Sequence, residues 1–304
     1  MQKTLRNRFR PLFKGFWGTA AFLLTINPAL AELSRMPLHI GGGNVPGNMF
    51  LVPSVEWPTI NSLANLGPYT PAREFVGYFN SRVCYEYVYD EQESERHFKP
   101  VSYASGRHQR ECSGYWSGNF LNWAATQTVD PFRKVLTGGY RVRDTATETW
   151  LEKARHDNQG GASIYPNRRI PEHGSDASLV SGATPFNASS MRMRIHGLGN
   201  EMRFRLEGED VSSGSTYTGG TVGPGQAYDL SVRVSVCVSE FMEGEDNCVR
   251  YANGYKPEGL IQQHAEAIRF SVFGYLNDSS ANRDGGVRAR KNGSVRKCRT
   301  RTAC

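Results

Sequence analysis

The sequence predicts an α/β fold in which helices pack against a mixed, partly parallel sheet. A broken amphipathic helix is indicated over residues 119–136. Two strictly alternating segments, Met191–His196 and Met202–Leu206, flank Gly197-Leu198-Gly199-Asn200 and predict a hairpin. After Lys256-Pro257 a helical pattern passes directly into the apolar strand Phe270–Leu276. Strand, helix and strand in succession imply a parallel connection.

Further strands are predicted from apolar and aromatic runs. Asn48–Val52 is a short apolar run, and Tyr69–Tyr89 is rich in aromatic residues, with tyrosines two residues apart near its end. Tyr228–Cys237 alternates, and its apolar residues would share one face of a strand: Leu230, Val232, Val234 and Val236.

The predicted helix breaks at Asp130-Pro131, a pair suited to the first turn of a second helix, and stops at Gly138-Gly139. Its apolar residues recur at intervals of three and four, so the helix is expected to pack on a sheet. They are Phe120, Trp123, Ala124, Phe132, Val135 and Leu136. Residues 157–190 contain few large apolar groups, and we expect a long exposed loop there.

The first 31 residues have the order of a secretory signal peptide. Five basic residues without an acid precede an apolar stretch over 15–26, and Ala29-Leu30-Ala31 forms a small-residue cleavage site. The apolar stretch is too short to span a bilayer. We therefore expect cleavage after Ala31, export, and no stable membrane span in the mature chain.

The two ends also explain the basic composition. The net charge is +7, to which residues 1–31 contribute +5 and residues 288–304 another +7, so residues 32–287 carry −5. An acidic body is a poor match for phosphate backbones, which excludes nucleic-acid binding. The tail cannot bury a core, and we interpret it as a product of a frame change, with a genuine basic arm as the alternative.

The six cysteines show no spacing typical of a zinc site. In an oxidising compartment the local pairs Cys84–Cys112 and Cys237–Cys248 would each close a loop, although the pairing rests only on proximity in the sequence.

Five separated segments together resemble the N-terminal part of the PilC/PilY family of type IV pilus tip-associated adhesins and assembly factors. They occur in family order between about residues 44 and 286. They are Trp116-Ser117-Gly118-Asn119-Phe120-Leu121-Asn122-Trp123-Ala124, Leu136-Thr137-Gly138-Gly139-Tyr140-Arg141, Gly197-Leu198-Gly199-Asn200, Gly254-Tyr255-Lys256-Pro257-Glu258-Gly259-Leu260-Ile261-Gln262, and Arg269–Asp278.

The resemblance implies a von Willebrand factor A-like domain over residues 32–287, with a loop-rich insertion at about 157–227. In full-length members a C-terminal β-propeller with a calcium loop follows, and this chain stops before it. The implied role is non-catalytic, in pilus assembly and tip adhesion. Implied partners are pilins or minor pilins and host or abiotic surfaces, and the implied location is the periplasm, the outer membrane surface or the pilus tip.

One departure from the pattern concerns metal binding. A-type domains that bind a metal carry Asp-x-Ser-x-Ser after the first strand, whereas this sequence has Pro53-Ser54-Val55-Glu56. The hard oxygen ligands that Mg²⁺ prefers are missing, so no metal or other cofactor is assigned. Asp278–Gly285 has oxygen ligands at alternate positions, but Ser280 and Lys291 stand where a calcium loop needs acids, and we favour a polar turn.

Two residue groups have both a functional and a structural interpretation. Trp116, Phe120, Trp123 and Trp150 could bind carbohydrate or pilin, but aromatic residues at helical spacing more often form a core. The second group consists of four arginines, Arg192, Arg194, Arg203 and Arg205. They could bind acidic glycans, but we favour the interpretation that they form the solvated face of a half-buried hairpin.

Two alternatives to pilus function remain open. One is a secreted hydrolase or carbohydrate-processing enzyme with its site in the long loops, although Gly-x-Ser-x-Gly and His-Glu-x-x-His motifs are absent. The other is a nonfunctional gene remnant, in which the strand Phe270–Leu276 would have one edge uncovered.

Overall fold

The computed structural model describes residues 46–52, 62–155, 165–209, 213–278 and 283–289, and from residue 274 onward it describes the backbone alone. All of these residues belong to one unit, residues 45–304.

Sixteen strands and four α-helices are found in the described residues. The strands are β1 Gly47–Leu51, β2 Val83–Val88, β3 His97–Tyr103, β4 Trp116–Ser117, β5 Arg141–Asp144, β6 Thr149–Glu152, β7 Arg168–Ile170, β8 Met191–His196, β9 Glu201–Leu206, β10 Gly214–Thr216, β11 Ala227–Ser231, β12 Arg233–Val236, β13 Cys248–Tyr251, β14 Gly254–Pro257, β15 Ile268–Asp278 and β16 Arg283–Ala289. The helices are α1 Gly118–Ala125, α2 Val129–Thr137, α3 Ala177–Ala183 and α4 Leu260–Gln263.

The strands form two larger sheets and two smaller ones. The larger sheets have the orders β4-β2-β3-β12-β6-β5 and β10-β11-β9-β8-β7. The smaller ones are β1-β15-β16 and the β13-β14 hairpin. Three pairs are parallel, namely β1 with β15, β3 with β12, and β10 with β11. The expected mixed α/β class with a partly parallel sheet is therefore confirmed.

The core is an aromatic cluster that α1 shares with the two larger sheets. Trp116 lies near its centre, with ring centroids 5.4 Å from Phe186 and 5.5 Å from Phe204, both edge-on. Trp116, Phe120, Trp123 and Trp150 are all at most 4% exposed. Because rings this deeply buried present no exposed surface, the core interpretation is confirmed for Phe120 and Trp123. Trp116 and Trp150 are core residues as well, so the four do not form an exposed carbohydrate-binding surface.

The broken helix forms as predicted, and its second half is less buried than expected. α1 ends at Ala125, and α2 ends where Gly138 adopts a left-handed conformation with φ of 81°. All eight residues of α1 are buried. In α2, by contrast, Phe132 is 60% exposed and Val135 57% exposed, so only α1 packs as a core helix.

Several predicted boundaries are corrected. The strand expected over Tyr69–Tyr89 is confined to β2, since residues 69–82 have no regular structure. The loop expected over 157–190 contains β7 and α3, with Val180 and Ala183 buried. Lys256-Pro257 lies at the end of β14 instead of opening a helix, and α4 has only four residues.

The alternating segment Tyr228–Cys237 is divided between two sheets. β11 joins the five-stranded sheet and β12 the six-stranded one, with Val232 between them. The polar residues Arg233 and Ser235 are as buried as the valines, at 3% exposed each. β12 therefore has no solvated face.

The strand predicted at Phe270–Leu276 is the longer β15, and it is paired on both edges. β1 runs parallel along one edge and β16 antiparallel along the other. The expectation of an uncovered edge is therefore wrong for the described residues. The signal-like segment with Ala31, residues 53–56, residues 279–282 and residues 290–304 lie outside the described part. Among the described residues, no helix is long and apolar enough to cross a membrane.

Candidate functional site

The motif over residues 116–124 builds an asparagine cluster, which we define as Asn65, Asn119 and Asn122. Asn122 Oδ1 accepts a hydrogen bond from Phe79 N–H at 3.1 Å, and its Nδ2 donates to the carbonyls of Phe75 and Phe79 at 3.0 and 2.9 Å. Asn119 Oδ1 accepts from Phe75 N–H at 2.9 Å. Buried amides satisfy the backbone of a segment that has no strand partner.

Asn65 completes the cluster from the opposite side. Its Nδ2 donates to the carbonyls of Val76 and Asn122 at 2.8 and 2.9 Å, and its Oδ1 accepts from Val76 N–H at 3.2 Å. The irregular segment 73–79 is therefore held between α1 and the chain around Asn65. This explains why an aromatic-rich segment that resembles a strand remains irregular.

The remaining motif residues position α1. Ser117 caps the helix by accepting from Phe120 N–H at 3.3 Å and donates its own proton to Arg110 O at 2.7 Å. At Gly118 a Cβ atom would lie 2.1 Å from Asn80 O, so only glycine fits. Trp123 Nε1 donates to Gly67 O at 2.9 Å.

The motifs at Gly138-Gly139-Tyr140 and Lys256-Pro257-Glu258-Gly259 meet in space. A Cβ atom on Gly138 would lie 2.4 Å from Pro257 O, and the left-handed φ of this residue also requires glycine. Lys256 Nζ forms an ion pair with Asp144 Oδ1 at 2.8 Å and donates to Thr149 Oγ1 at 2.8 Å. These residues join two segments that are distant in the sequence.

The motif Gly197-Leu198-Gly199-Asn200 turns the chain between β8 and β9 beside a buried lysine. Lys153 Nζ donates to Gly199 O, and burial lowers the pKa of Lys153 to about 7. Asp130, also buried, accepts from Ala154 N–H at 2.8 Å, and burial raises the pKa of this carboxyl group. Desolvation thus disfavours the charged form of each group.

A second group of buried charges lies between β6 and β12. Arg233 Nε is 2.7 Å from Glu152 Oε1, and Arg233 Nη2 is 2.9 Å from Glu93 Oε2. Glu152 also pairs with Arg155 at 2.8 Å. Since these charges are paired with one another, they are not free for a ligand.

The four arginines of the β8–β9 hairpin are not equivalent. Arg203, predicted on a solvated face, has a side chain only 8% exposed, and its Nε lies 2.6 Å from Asp229 Oδ1 on β11. Arg192 pairs with Glu209. The prediction of a solvated face is therefore wrong for Arg203, because β11 covers it.

Both cysteine pairs expected from proximity are disulfides in the structure. Cys84–Cys112 and Cys237–Cys248 have Cα–Cα distances of 5.6 and 5.5 Å. The first connects β2 to the segment before β4, and the second connects the end of β12 to the start of β13.

Among the described residues, two clefts offer space for a ligand. The first, which we call the aromatic cleft, has a volume of about 440 Å³ and is formed by Tyr85–Tyr87, Gly114–Trp116, Pro185–Asn187, Leu206, Tyr217 and Gly219–Val222. Tyr115 at its rim is 41% exposed. The second, the disulfide cleft, has a volume of about 600 Å³ and is formed by Lys99, Pro100, Thr147, Glu148, Ser235–Phe241 and Asn253–Tyr255.

Comparison with known proteins agrees with the motifs. Residues 67–213 match the family described as PilY1 homolog, small alpha/beta domain. A type IV pilus biogenesis factor PilY1 homolog from Xylella fastidiosa (strain Temecula1 / ATCC 700964) is 46% identical over 276 residues, which cover 86% of this chain and 22% of that protein. The chain belongs to the PilY1 family.

A second PilY1 homolog of the same name and organism is 30% identical over 245 residues, covering 70% of this chain and 16% of its own length. The chain therefore spans about a fifth of the length of these PilY1-family relatives. No solved structure matches it.

The motif residues do not converge on one site. The asparagine cluster, the Gly138–Pro257 contact and the turn at residues 197–200 each join segments of the fold. Of the motif residues, Trp116 lines the aromatic cleft, and Gly254 and Tyr255 line the disulfide cleft. Sequence reasoning missed the buried Lys153 and the buried Arg233, because a charge inside an apolar pattern is ordinarily expected to face solvent.

Proposed function

We propose that this chain acts in type IV pilus biogenesis as a non-catalytic interaction protein. The observation that carries the proposal is the 46% identity over 276 residues to a protein named as a pilus biogenesis factor. The family motifs serve to join segments of the fold, which suits a protein that presents a binding surface.

We further propose that the chain is exported and works at the cell surface or the pilus tip. The two disulfides support this location, since such bonds persist in oxidising compartments. Its partners in this proposal are pilins or minor pilins, and host or abiotic surfaces.

The proposed architecture is a von Willebrand factor A-like sheet with an inserted domain. β1 and β15 are adjacent parallel strands, yet residues 52–267 separate them in the sequence. The family match over residues 67–213 lies entirely in this interval and is described as a small alpha/beta domain. An insertion between two neighbouring strands of a parent sheet accounts for both observations.

For adhesion we assign the contact surface to the aromatic cleft. Tyr115 presents an exposed ring at its rim beside the backbone of Gly114, and the side chains of Glu86 and Asn187 add polar groups. An aromatic ring with one solvent-exposed face and nearby hydrogen-bonding groups is suited to contacts with a sugar or a peptide.

The test is a deletion of the gene for this chain in its source strain, followed by complementation. We expect the deletion to reduce pilin sheared from the cell surface and the wild-type gene to restore it. Tyr115→Ala should restore pili but leave surface attachment low, whereas Tyr89→Ala, which changes a tyrosine outside the cleft, should restore both. An unchanged amount of sheared pilin in the deletion strain would rule out the biogenesis role. Turnover of ester, peptide or glycan substrates by the purified chain would instead support an enzyme.

A further inference from the structure

The Cys237–Cys248 disulfide differs from the other one because a carboxyl group touches it. Glu245 Oε2 lies 3.0 Å from Cys248 Sγ and accepts a hydrogen bond from Cys237 N–H at 2.7 Å. The two cysteines and Glu245 therefore form one cluster, in which the two Sγ atoms and a carboxylate oxygen lie within 4.8 Å of one another. No such contact to a carboxylate is found at Cys84–Cys112 within the described residues.

The two sulfur-bearing residues differ in their surroundings, since Cys237 is only 5% exposed and Cys248 is half-buried. Cys237 is part of the lining of the disulfide cleft, and Cys248 is not. Ser235 also lines this cleft, and its Oγ is buried without a hydrogen-bond partner among the described residues. A cleft of about 600 Å³ with an unsatisfied hydroxyl group can admit a thiol-bearing molecule.

We propose that Cys237–Cys248 is a thiol–disulfide exchange site, attacked at Cys237 from the disulfide cleft, with Glu245 as the acid that protonates Cys248. The co-reactant is a thiol, either a monothiol or a dithiol protein. Its thiolate forms a new S–S bond with Cys237 Sγ while the Cys237–Cys248 bond breaks. The electron pair of that bond leaves on Cys248 Sγ, which takes the proton from Glu245 and leaves a carboxylate.

The protonation state of Glu245 suits this role. Burial raises the pKa of its carboxyl group to about 7, and the hydrogen bond from Cys237 N–H and the charge of Lys134 oppose that shift. Lys134 on α2 donates a hydrogen bond to Gly77 O at 2.8 Å. Two other titratable groups lie near Glu245, namely Asp246, the next residue in the chain, and the Tyr85 hydroxyl, which interacts electrostatically with the Glu245 carboxylate. Below about pH 7 the group is a neutral acid beside the leaving sulfur.

The experiment uses the purified oxidised chain and reduced glutathione as the thiol. After timed exposure, free thiols are alkylated and the protein is digested after glutamate. Because Glu240, Glu243 and Glu245 lie between the two cysteines, mass spectrometry then reports each cysteine separately. We expect glutathione on Cys237, the alkyl group on Cys248, and reaction roughly tenfold faster than at Cys84–Cys112.

The pH profile and two variants test the role of Glu245. The rate constant divided by the fraction of glutathione present as thiolate should fall as pH rises through about 7. Glu245→Gln should slow the reaction below pH 7 by roughly tenfold and flatten the profile. Glu240→Gln, which makes the same chemical change at an exposed position of the cleft, should leave both unchanged.

Three results would overturn the proposal. They are glutathione found mainly on Cys248, a disulfide that reacts no faster than Cys84–Cys112, and a rate per thiolate that does not fall through pH 7. All three are measured on the wild-type chain, so they decide the matter even if Glu245→Gln does not fold.

Discussion

Replacing Asn122 by alanine tests the claim that the asparagine cluster stabilises the fold. The side chain is 1% exposed and makes three hydrogen bonds to the backbone of Phe75 and Phe79. Alanine leaves one N–H and two carbonyl groups without these partners. A buried polar group without a partner costs about 1 to 3 kcal/mol, and local relaxation recovers part of this.

We therefore expect Asn122→Ala to lower the free energy of unfolding by about 4 kcal/mol, a large part of the roughly 5 to 15 kcal/mol typical of a domain. Denaturant titration followed by tryptophan fluorescence measures the loss. Hydrogen exchange should also show that the Phe79 amide loses its protection. Asn167→Ala, at an exposed asparagine, is the matched control and should change stability by less than about 0.5 kcal/mol.

Asn122→Asp separates the hydrogen bonds from the packing. The aspartate has the same shape, but its carboxylate would face two carbonyl oxygens that Nδ2 now serves. This raises its pKa in the folded state, so the stabilising form is the protonated one, and stability is lost as pH rises through that pKa. A loss below about 1 kcal/mol in Asn122→Ala, or no pH dependence in Asn122→Asp, would refute the reasoning.

Three further outcomes are expected. Replacing Cys84 and Cys112 together by alanine should cost about 3 to 4 kcal/mol, since the bond closes a loop with a sequence separation of 28, and chemical denaturation of the double variant checks this. Burial lowers the pKa of Lys153 to about 7. Between that pH and the ordinary lysine pKa, the folded state binds fewer protons than the unfolded state, so the free energy of unfolding rises with pH over this range. Lys153→Met should then stabilise the chain by about 3 kcal/mol at pH 7 and hardly at pH 10, and equal effects at both pH values would contradict the assignment. Gly138→Ala should lower the melting temperature, because the new Cβ atom would lie 2.4 Å from Pro257 O. Gly174→Ala should lower it less, because no atom lies within 4 Å of its Cβ position and only the left-handed φ is unfavourable for alanine.

The sequence predicted those elements whose signal is local. Alternation located β8 and β9, and helical spacing with Gly138 located α1 and the end of α2. Proximity alone identified both disulfides. Each of these depends on residues that lie near one another in the chain.

Features that depend on distant partners were missed. Residues 69–82 belong to the aromatic-rich segment that was predicted as a strand, but the amides of Asn119 and Asn122 satisfy the backbone of Phe75 and Phe79, and no neighbouring strand does. Arg203 looked solvated because Asp229 lies far along the sequence. The only available signal for the cluster was two asparagines three residues apart within a helix that has tryptophan and phenylalanine on its other faces.

The same distinction applies to the two clefts. The aromatic cleft draws its lining from segments around residues 86, 115, 186 and 220, and the disulfide cleft from segments around residues 99, 148, 237 and 254. No short motif contains either set, so a sequence pattern can identify the family without revealing a ligand site. The motif segments determine where those loops lie, because the asparagine cluster supports α1, which begins two residues after Trp116. Changes in the motifs should therefore act on stability first, whereas changes at Tyr115 or Glu245 should act on binding or reactivity in a chain that still folds.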